Sequence, residues 1–179
     1  MNSSQLPMRY HLMFGVVVLM MLFFLWARNL QAPTHVSDTG YDLLLSTLLS
    51  HSVPAISVDR LDSEHFRVLD AREYREFEVS HTKGSLWVGY DTFSVDQVTG
   101  LDKQDPVAVY CSVGYRSERV VEQLRQQGFS NVVNVYGGIF EWVNTGHPVV
   151  SGNGVKTEEI HAYSKFWGVW LKRGVRVYQ

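Results

Sequence analysis

The sequence predicts an α/β protein in which a mostly parallel sheet is flanked by helices, in a single domain preceded by one transmembrane helix. Three observations lead to that expectation. Short runs rich in Val and aromatic residues alternate with segments of helical period, the pattern of a parallel sheet covered on both faces. At 179 residues the chain is long enough for one domain with a short appendage, but hardly for two. An uncharged apolar stretch lies ahead of all those runs.

After an N-terminal tail of residues 1–9, Leu12 to Ala27 carries no charged residue, and Tyr10 and His11 extend the stretch. Residues 10–27 are therefore expected to anchor the chain in a membrane. At about 1.5 Å per residue they nearly cover a hydrocarbon core of about 30 Å, with Tyr10 and Trp26 at the two interfaces. A cleaved signal peptide is the alternative, but its apolar core is usually shorter, about 7 to 15 residues, and Trp26-Ala27-Arg28 lacks a small-x-small cleavage pattern. Arg9 precedes the segment and Arg28 follows it. The charge rule thus leans only slightly towards a cytoplasmic N-terminus and an extracytoplasmic domain, periplasmic if the source is bacterial.

Residues 28–37, containing Pro33, read as a linker into a globular domain over 38–150. Tyr41, Leu44, Leu45, Leu48 and Leu49 share one helical face. Strands are expected at Ala55 to Val58, Phe66 to Leu69, Leu86 to Val88, Val107 to Tyr110 and Val132 to Val135. Helices are expected around Glu73 to Glu78 and from Ser117 to Gln127, the second ending at Gly128, the residue type suited to a C-terminal cap. Residues 151–179 form a basic aromatic tail, with Tyr163, Phe166, Trp167, Trp170 and Leu171 at helical spacing among Lys165, Lys172, Arg173 and Arg176. Such a stripe either packs on the body or lies on a membrane surface.

Residues 29–159 hold ten Lys or Arg against eighteen Asp or Glu, a balance of -8. An acidic body of that kind argues against a nucleic-acid partner. Cys111 is the single cysteine, so within one chain there is neither a disulfide nor a thiolate metal cluster. The seven histidines show no close metal-ligand spacing, and no metal site is expected.

Cys111 closes the apolar run Val107 to Tyr110, and a helix is expected to open at Ser117. That is the carboxyl end of a strand, where parallel sheets gather their ligands. A tight turn into a helix aims backbone N–H groups and the positive end of the helix dipole at one point, which favours an anion such as a thiolate. Gly114 lets the backbone bend closely, the Ser117 hydroxyl is placed to cap the helix or donate to sulfur, and Arg116 is the formal charge within the loop.

Three ordered motifs extend this reading. Val68-Leu69-Asp70-Ala71-Arg72-Glu73 is followed by Phe77, His81 and Gly84; Cys111-Ser112-Val113-Gly114-Tyr115-Arg116-Ser117 is followed by Gly128-Phe129; and Tyr136-Gly137-Gly138-Ile139-Phe140-Glu141-Trp142 is followed by Gly146 and Pro148. Together, over roughly Leu43 to Val149, they resemble the rhodanese family of sulfurtransferases. The resemblance implies a single rhodanese-like domain with Cys111 as catalytic nucleophile. It would take sulfane sulfur from a small donor such as thiosulfate as a persulfide and pass it to a thiol, a protein acceptor or cyanide. The resemblance also implies that Ser112, Val113, Gly114, Tyr115, Arg116 and Ser117 bind substrate, that the amides of residues 112–117 stabilise the sulfur anion, and that no cofactor is needed. Thiosulfate-using members often carry an extra basic residue early in the loop, where this chain has Ser112 and Val113.

Asp70 and Arg72 are expected to support the site. Asp70-Ala71-Arg72-Glu73 fits a helix N-cap with Glu at the third position, and Arg72 is expected in a structural ion pair. For Arg116 two placements are open: facing an anionic donor, or turned away onto an acid such as Glu118 or Glu122. Other functions fit less well. Four residues separate Cys111 from Arg116, one fewer than in the loops with which related phosphatases and arsenate reductases encircle an oxyanion. A non-catalytic binding module or a redox sensor remains the main alternative, since an activated thiol also oxidises readily.

Overall fold

The computed structural model describes residues 34–178 and, ahead of them, Met20 alone. Apart from Met20, the expected anchor at residues 10–27 therefore lies outside the described residues. Among the described residues no helix is long and apolar enough to cross a membrane.

Helix α1 (Thr39–Leu48) opens where the Asp38 carboxylate accepts the Tyr41 N–H at 2.8 Å, and it buries Tyr41 and Leu45 completely. Strand β1 (Ala55–Ile56) is shorter than expected, because Ser57 caps a helix that follows at once, α2 (Val58–Ser63). Then come β2 (Arg67–Asp70), α3 (Tyr74–Val79), β3 (Leu86–Trp87), a 3-10 turn at Val95–Val98, β4 (Val107–Tyr110), α4 (Tyr115–Gln126), β5 (Val132–Val135) and α5 (Gly138–Asn144). The five strands form one parallel sheet in the order β1-β5-β4-β2-β3.

The central strand β4 distributes its side chains alternately to two cores, as the pleat requires. Val107, Val109 and, just beyond the strand, Cys111 join Val120, Val121 and Leu124 of α4. Ala108 and Tyr110 join Tyr41 and Leu45 of α1 and Ile139 and Phe140 of α5. Each fully buried aliphatic contributes about 1.5–3 kcal/mol by leaving water, so the strand leading to Cys111 is held from both faces. Gly128 ends α4 as its sequence suggested. At φ +93 it donates its N–H to the Arg125 carbonyl while Phe129 N–H reaches the Leu124 carbonyl, a Schellman closure.

The C-terminal residues build further structure on this unit. Strand β6 (Val149–Val150) pairs antiparallel with β7 (Lys156–Thr157), and β8 (Glu159–His161) pairs parallel with β9 (Val175–Val177). Ile160, Ala162 and Leu171 are fully buried in the α1 and α5 core, and Trp170 stacks on Tyr41 at 5.6 Å. The aromatic stripe is not one continuous helix. A parallel strand pair needs a crossover of a dozen or so residues, and residues 162–174 supply it, leaving a single helical turn, α6 (Lys165–Gly168).

Candidate functional site

Cys111 leaves β4 at the carboxyl end of the middle strand of the sheet and is almost completely buried. Helix α4 starts at Tyr115, two residues earlier than expected, because Gly114 takes the left-handed conformation at φ +115 and serves as N-cap. In that turn the Gly114 N–H donates to Cys111 Sγ at 3.2 Å. The Ser117 hydroxyl neither caps the helix nor reaches sulfur. It donates to Asn134 Oδ1 at 2.7 Å, and Asn134 Nδ2 donates to the Gly114 carbonyl at 3.0 Å. Asn134, on β5, thus ties both ends of the turn to the sheet.

Helix α5 holds the loop from the other side. The Ile139 and Phe140 N–H groups donate to the carbonyls of Cys111 and Ser112 at 2.9 and 3.2 Å. Such close approach requires Gly138, where a Cβ would lie 2.3 Å from the Cys111 oxygen and where φ is +56. Gly138→Ala is therefore expected to cost about 2–4 kcal/mol, from the left-handed backbone and overpacking together. Urea unfolding checks this, and an unchanged midpoint would show that α5 is not pinned to the loop there.

Arg116 faces neither Glu118 nor Glu122. Its guanidinium is bidentate on Glu76 of α3, Nη1 to Oε2 at 2.6 Å and Nη2 to Oε1 at 2.9 Å, with a further bond from Nη2 to Ser112 Oγ. Glu76 is fully buried and also accepts from the Ser112 hydroxyl and the Glu73 N–H. Burial alone would push the Glu76 carboxyl up, but the hydrogen bonds and charge of Arg116, with the charge of Arg72, hold it below its ordinary value. Burial likewise disfavours the Arg116 cation, and Glu76 with the Cys111 sulfur more than reverses it. His161 of β8 lies 3.9 Å from the same carboxylate. Glu118 instead holds the chain after α1 by accepting the Ser50 and Ser52 N–H groups.

Asp70 is not a helix cap. Its carboxylate accepts from Arg72 Nη2 at 2.6 Å, from the Arg72 N–H at 2.9 Å and from the Tyr110 hydroxyl at 2.6 Å. With Asp70 so engaged, α3 starts three residues later and Glu73 occupies the cap. Arg72, also fully buried, sends Nη2 to the Ser80 carbonyl at 2.6 Å. The pair braces the ends of β2 and β4 and does not line the cavity around the cysteine.

That cavity has a volume of about 800 Å³, and Cys111, Ser112, Val113, Tyr115 and Arg116 line it. Gly114 and Ser117 shape the loop without lining it. Tyr74, Tyr90, Tyr163 and Trp167 add aromatic surface, while Glu73, Arg75 and Asp91 add charge. Glu76, Asn134, Tyr163 and Trp167 were not expected at the site. The only sequence signal was the aromatic stripe of the tail, which pointed to packing or to a membrane. Among the described residues no cluster of His, Cys, Asp or Glu is arranged to hold a metal.

Residues 54–145 match the family described as the Rhodanese-like domain. Thiosulfate sulfurtransferase GlpE of Actinobacillus succinogenes is 31% identical over 103 residues, 58% of this chain and 92% of the relative. The putative sulfur carrier protein YrkF of Bacillus subtilis is 31% identical over 96 residues, 51% of each chain. A tRNA uridine(34) hydroxylase of Hamiltonella defensa is 39% identical over 83 residues, 43% of this chain and 23% of the relative. The chain thus spans about half and about a quarter of those last two proteins. Among solved structures, the rhodanese-like domain of the Anabaena sp Alr3790 protein has the same fold, with a TM-score of 0.51 at 23% identity over 55% of this chain and 79% of that one.

Proposed function

This chain belongs to the family of the Rhodanese-like domain, and on that premise we propose that it moves sulfane sulfur from a donor to a nucleophilic acceptor through a persulfide on Cys111. The observation that carries the reading is the placement of Sγ beneath the Gly114 N–H, at the foot of an 800 Å³ cavity. In the first step the Cys111 thiolate attacks the outer sulfur of a donor such as thiosulfate. An Sγ–S bond forms, the S–S bond of the donor breaks, and sulfite leaves with the electron pair. In the second step a thiol, a protein acceptor or cyanide attacks the outer sulfur of the persulfide and regenerates the thiolate; from cyanide the product is thiocyanate. A preorganised N–H donor serves both the thiolate and the persulfide anion without rearrangement.

The placement of Arg116 supports sulfur over an oxyanion as the cargo. A phosphatase-like loop needs its guanidinium on the bound oxygens, whereas here both terminal nitrogens are engaged by Glu76. The test is intact mass. The protein should gain one sulfur atom on exposure to thiosulfate or a persulfide and lose it to cyanide. Oxygen additions alone would favour a redox sensor.

For residues 10–27 we propose a membrane anchor, on the strength of the uncharged run between Arg9 and Arg28, with the domain on the extracytoplasmic side, towards which the charge rule leans slightly. The full chain is expected to stay with membranes through a high-salt wash, and the chain lacking residues 1–30 to be released. Recovery of the full chain in the soluble fraction with its first residues removed would overturn the anchor.

A further inference from the structure

We propose that Tyr163 and Trp167 form a selecting wall of the Cys111 cavity, and that the wall favours as donor an organic persulfide bearing a flat apolar group over thiosulfate; the proposal rests on the sulfurtransferase reading. Both residues line the cavity, yet both lie beyond residue 145, where the family match ends. The wall thus lies outside the residues that match the family.

Its construction is specific. Tyr163 stands at φ +61, a conformation that costs free energy for any residue with a Cβ. It is held there by its N–H to His161 Nδ1 at 3.2 Å, by the Ala162 N–H to the Val177 carbonyl at 2.8 Å, and by Ser164, which caps α6. The outcome is a half-exposed ring over the Arg116 guanidinium, 5.1 Å from its centroid. Arg116 is therefore engaged by the Glu76 carboxylate and covered by the Tyr163 ring.

The remaining charge does not suit a small dianion. Two carboxylates, Glu73 and Asp91, share the cavity with one further guanidinium, that of Arg75. Its volume of about 800 Å³ falls in the range that encloses drug-sized ligands, about 300–1,000 Å³. Thiosulfate has no apolar surface to set against Trp167, Val113 or Leu48, and an organic persulfide has. The transfer balances without any further reactant. The Cys111 thiolate attacks the terminal sulfur of R–S–SH, the Sγ–S bond forms as the donor S–S bond breaks, R–S⁻ leaves with the electron pair, and the proton stays on the transferred sulfur.

The test compares kcat/KM for benzyl persulfide, methyl persulfide and thiosulfate in the full chain, in Tyr163→Gly and in Trp167→Ala. Wild type is expected to favour the benzyl over the methyl donor by about tenfold or more, within what pocket contacts of this kind discriminate. That preference should fall to about threefold or less in each variant. Glycine adopts φ +61 readily, so a lost preference in Tyr163→Gly is not a folding defect. Equal use of both persulfides by wild type, an undiminished ratio in Tyr163→Gly, or thiosulfate outperforming benzyl persulfide would each overturn the proposal. If intact mass shows that no donor adds sulfur to Cys111, the sulfurtransferase reading fails and this one with it. If sulfur is added and the ratios do not move, only the wall fails.

Discussion

Cys111→Ser is expected to lower sulfur transfer by at least roughly 10⁴-fold, the scale seen when an enzyme loses its nucleophile, while the folded domain persists. A hydroxyl cannot hold a transferable sulfur atom under these conditions, so both the gain of sulfur and its release to cyanide should vanish together. The fold has less to lose. The Sγ lies between the Gly114 N–H and the apolar core under α4, and an oxygen of similar reach still accepts that N–H. The cost is the burial of one hydroxyl, about 1–3 kcal/mol, read as a modest drop in melting temperature with unchanged circular dichroism. Thiocyanate production at an undiminished rate would remove Cys111 from the chemistry. Collapse of the fold would instead make the cysteine a core residue, and loading could then be judged only by mass spectrometry of the intact wild type.

Local signals made the β4-to-α4 turn legible from sequence, because the residues that mark its course lie along one short run, whereas the distant Asn134 and Gly138 that hold it left no such signal. Val107 to Tyr110 reads as a buried strand, Gly114 marks the left-handed turn, and Gly128 marks the end of the helix. Asp70 shows where such signals mislead. Asp70-Ala71-Arg72-Glu73 is a sound capping pattern, but Arg72 and Tyr110 both claim the Asp70 carboxylate, and the cap passes to Glu73. Tyr110 lies 40 residues from Asp70 and Arg116 lies 40 residues from Glu76. No spacing rule joins residues so far apart; only the adjacency of β2 and β4, with α3 beside them, brings them into contact. The tail packs on the body, one of its two expected placements, but its helical spacing failed for a similar reason. Its aromatic period describes a helix, and the pairing of Val175–Val177 with Glu159–His161 overrides that preference.

The Glu76–Arg116 pair changes what Arg116→Ala should do. Were the guanidinium to face an anionic donor, the substitution would weaken that donor by raising KM. With the guanidinium seated on a fully buried carboxylate, it should instead cost about 3–5 kcal/mol of stability, the penalty for leaving a buried charge unpaired. It should also impair charged and uncharged donors alike. Acidification then separates the wild type from the variant. In wild type the folded Glu76 value is depressed, so its contribution is present above the ordinary carboxyl range, about 4.3, and is lost as pH falls through the folded value. Without Arg116, burial becomes the dominant influence, opposed by the charge of Arg72 and the Glu73 N–H, and the folded value rises. A carboxyl shifted upward loses stability as pH rises through its window, so the gap between Arg116→Ala and wild type should be widest near neutrality and should narrow in acid. Replacing both partners, with Glu76→Gln and Arg116→Met together, should recover most of the loss, because no buried charge is then left alone. Urea denaturation of the three proteins across pH measures all of this. A stability gap independent of pH, or a selective rise in KM for thiosulfate with no loss of stability, would mean that Arg116 faces the donor in solution and that the Glu76 contact does not hold it there.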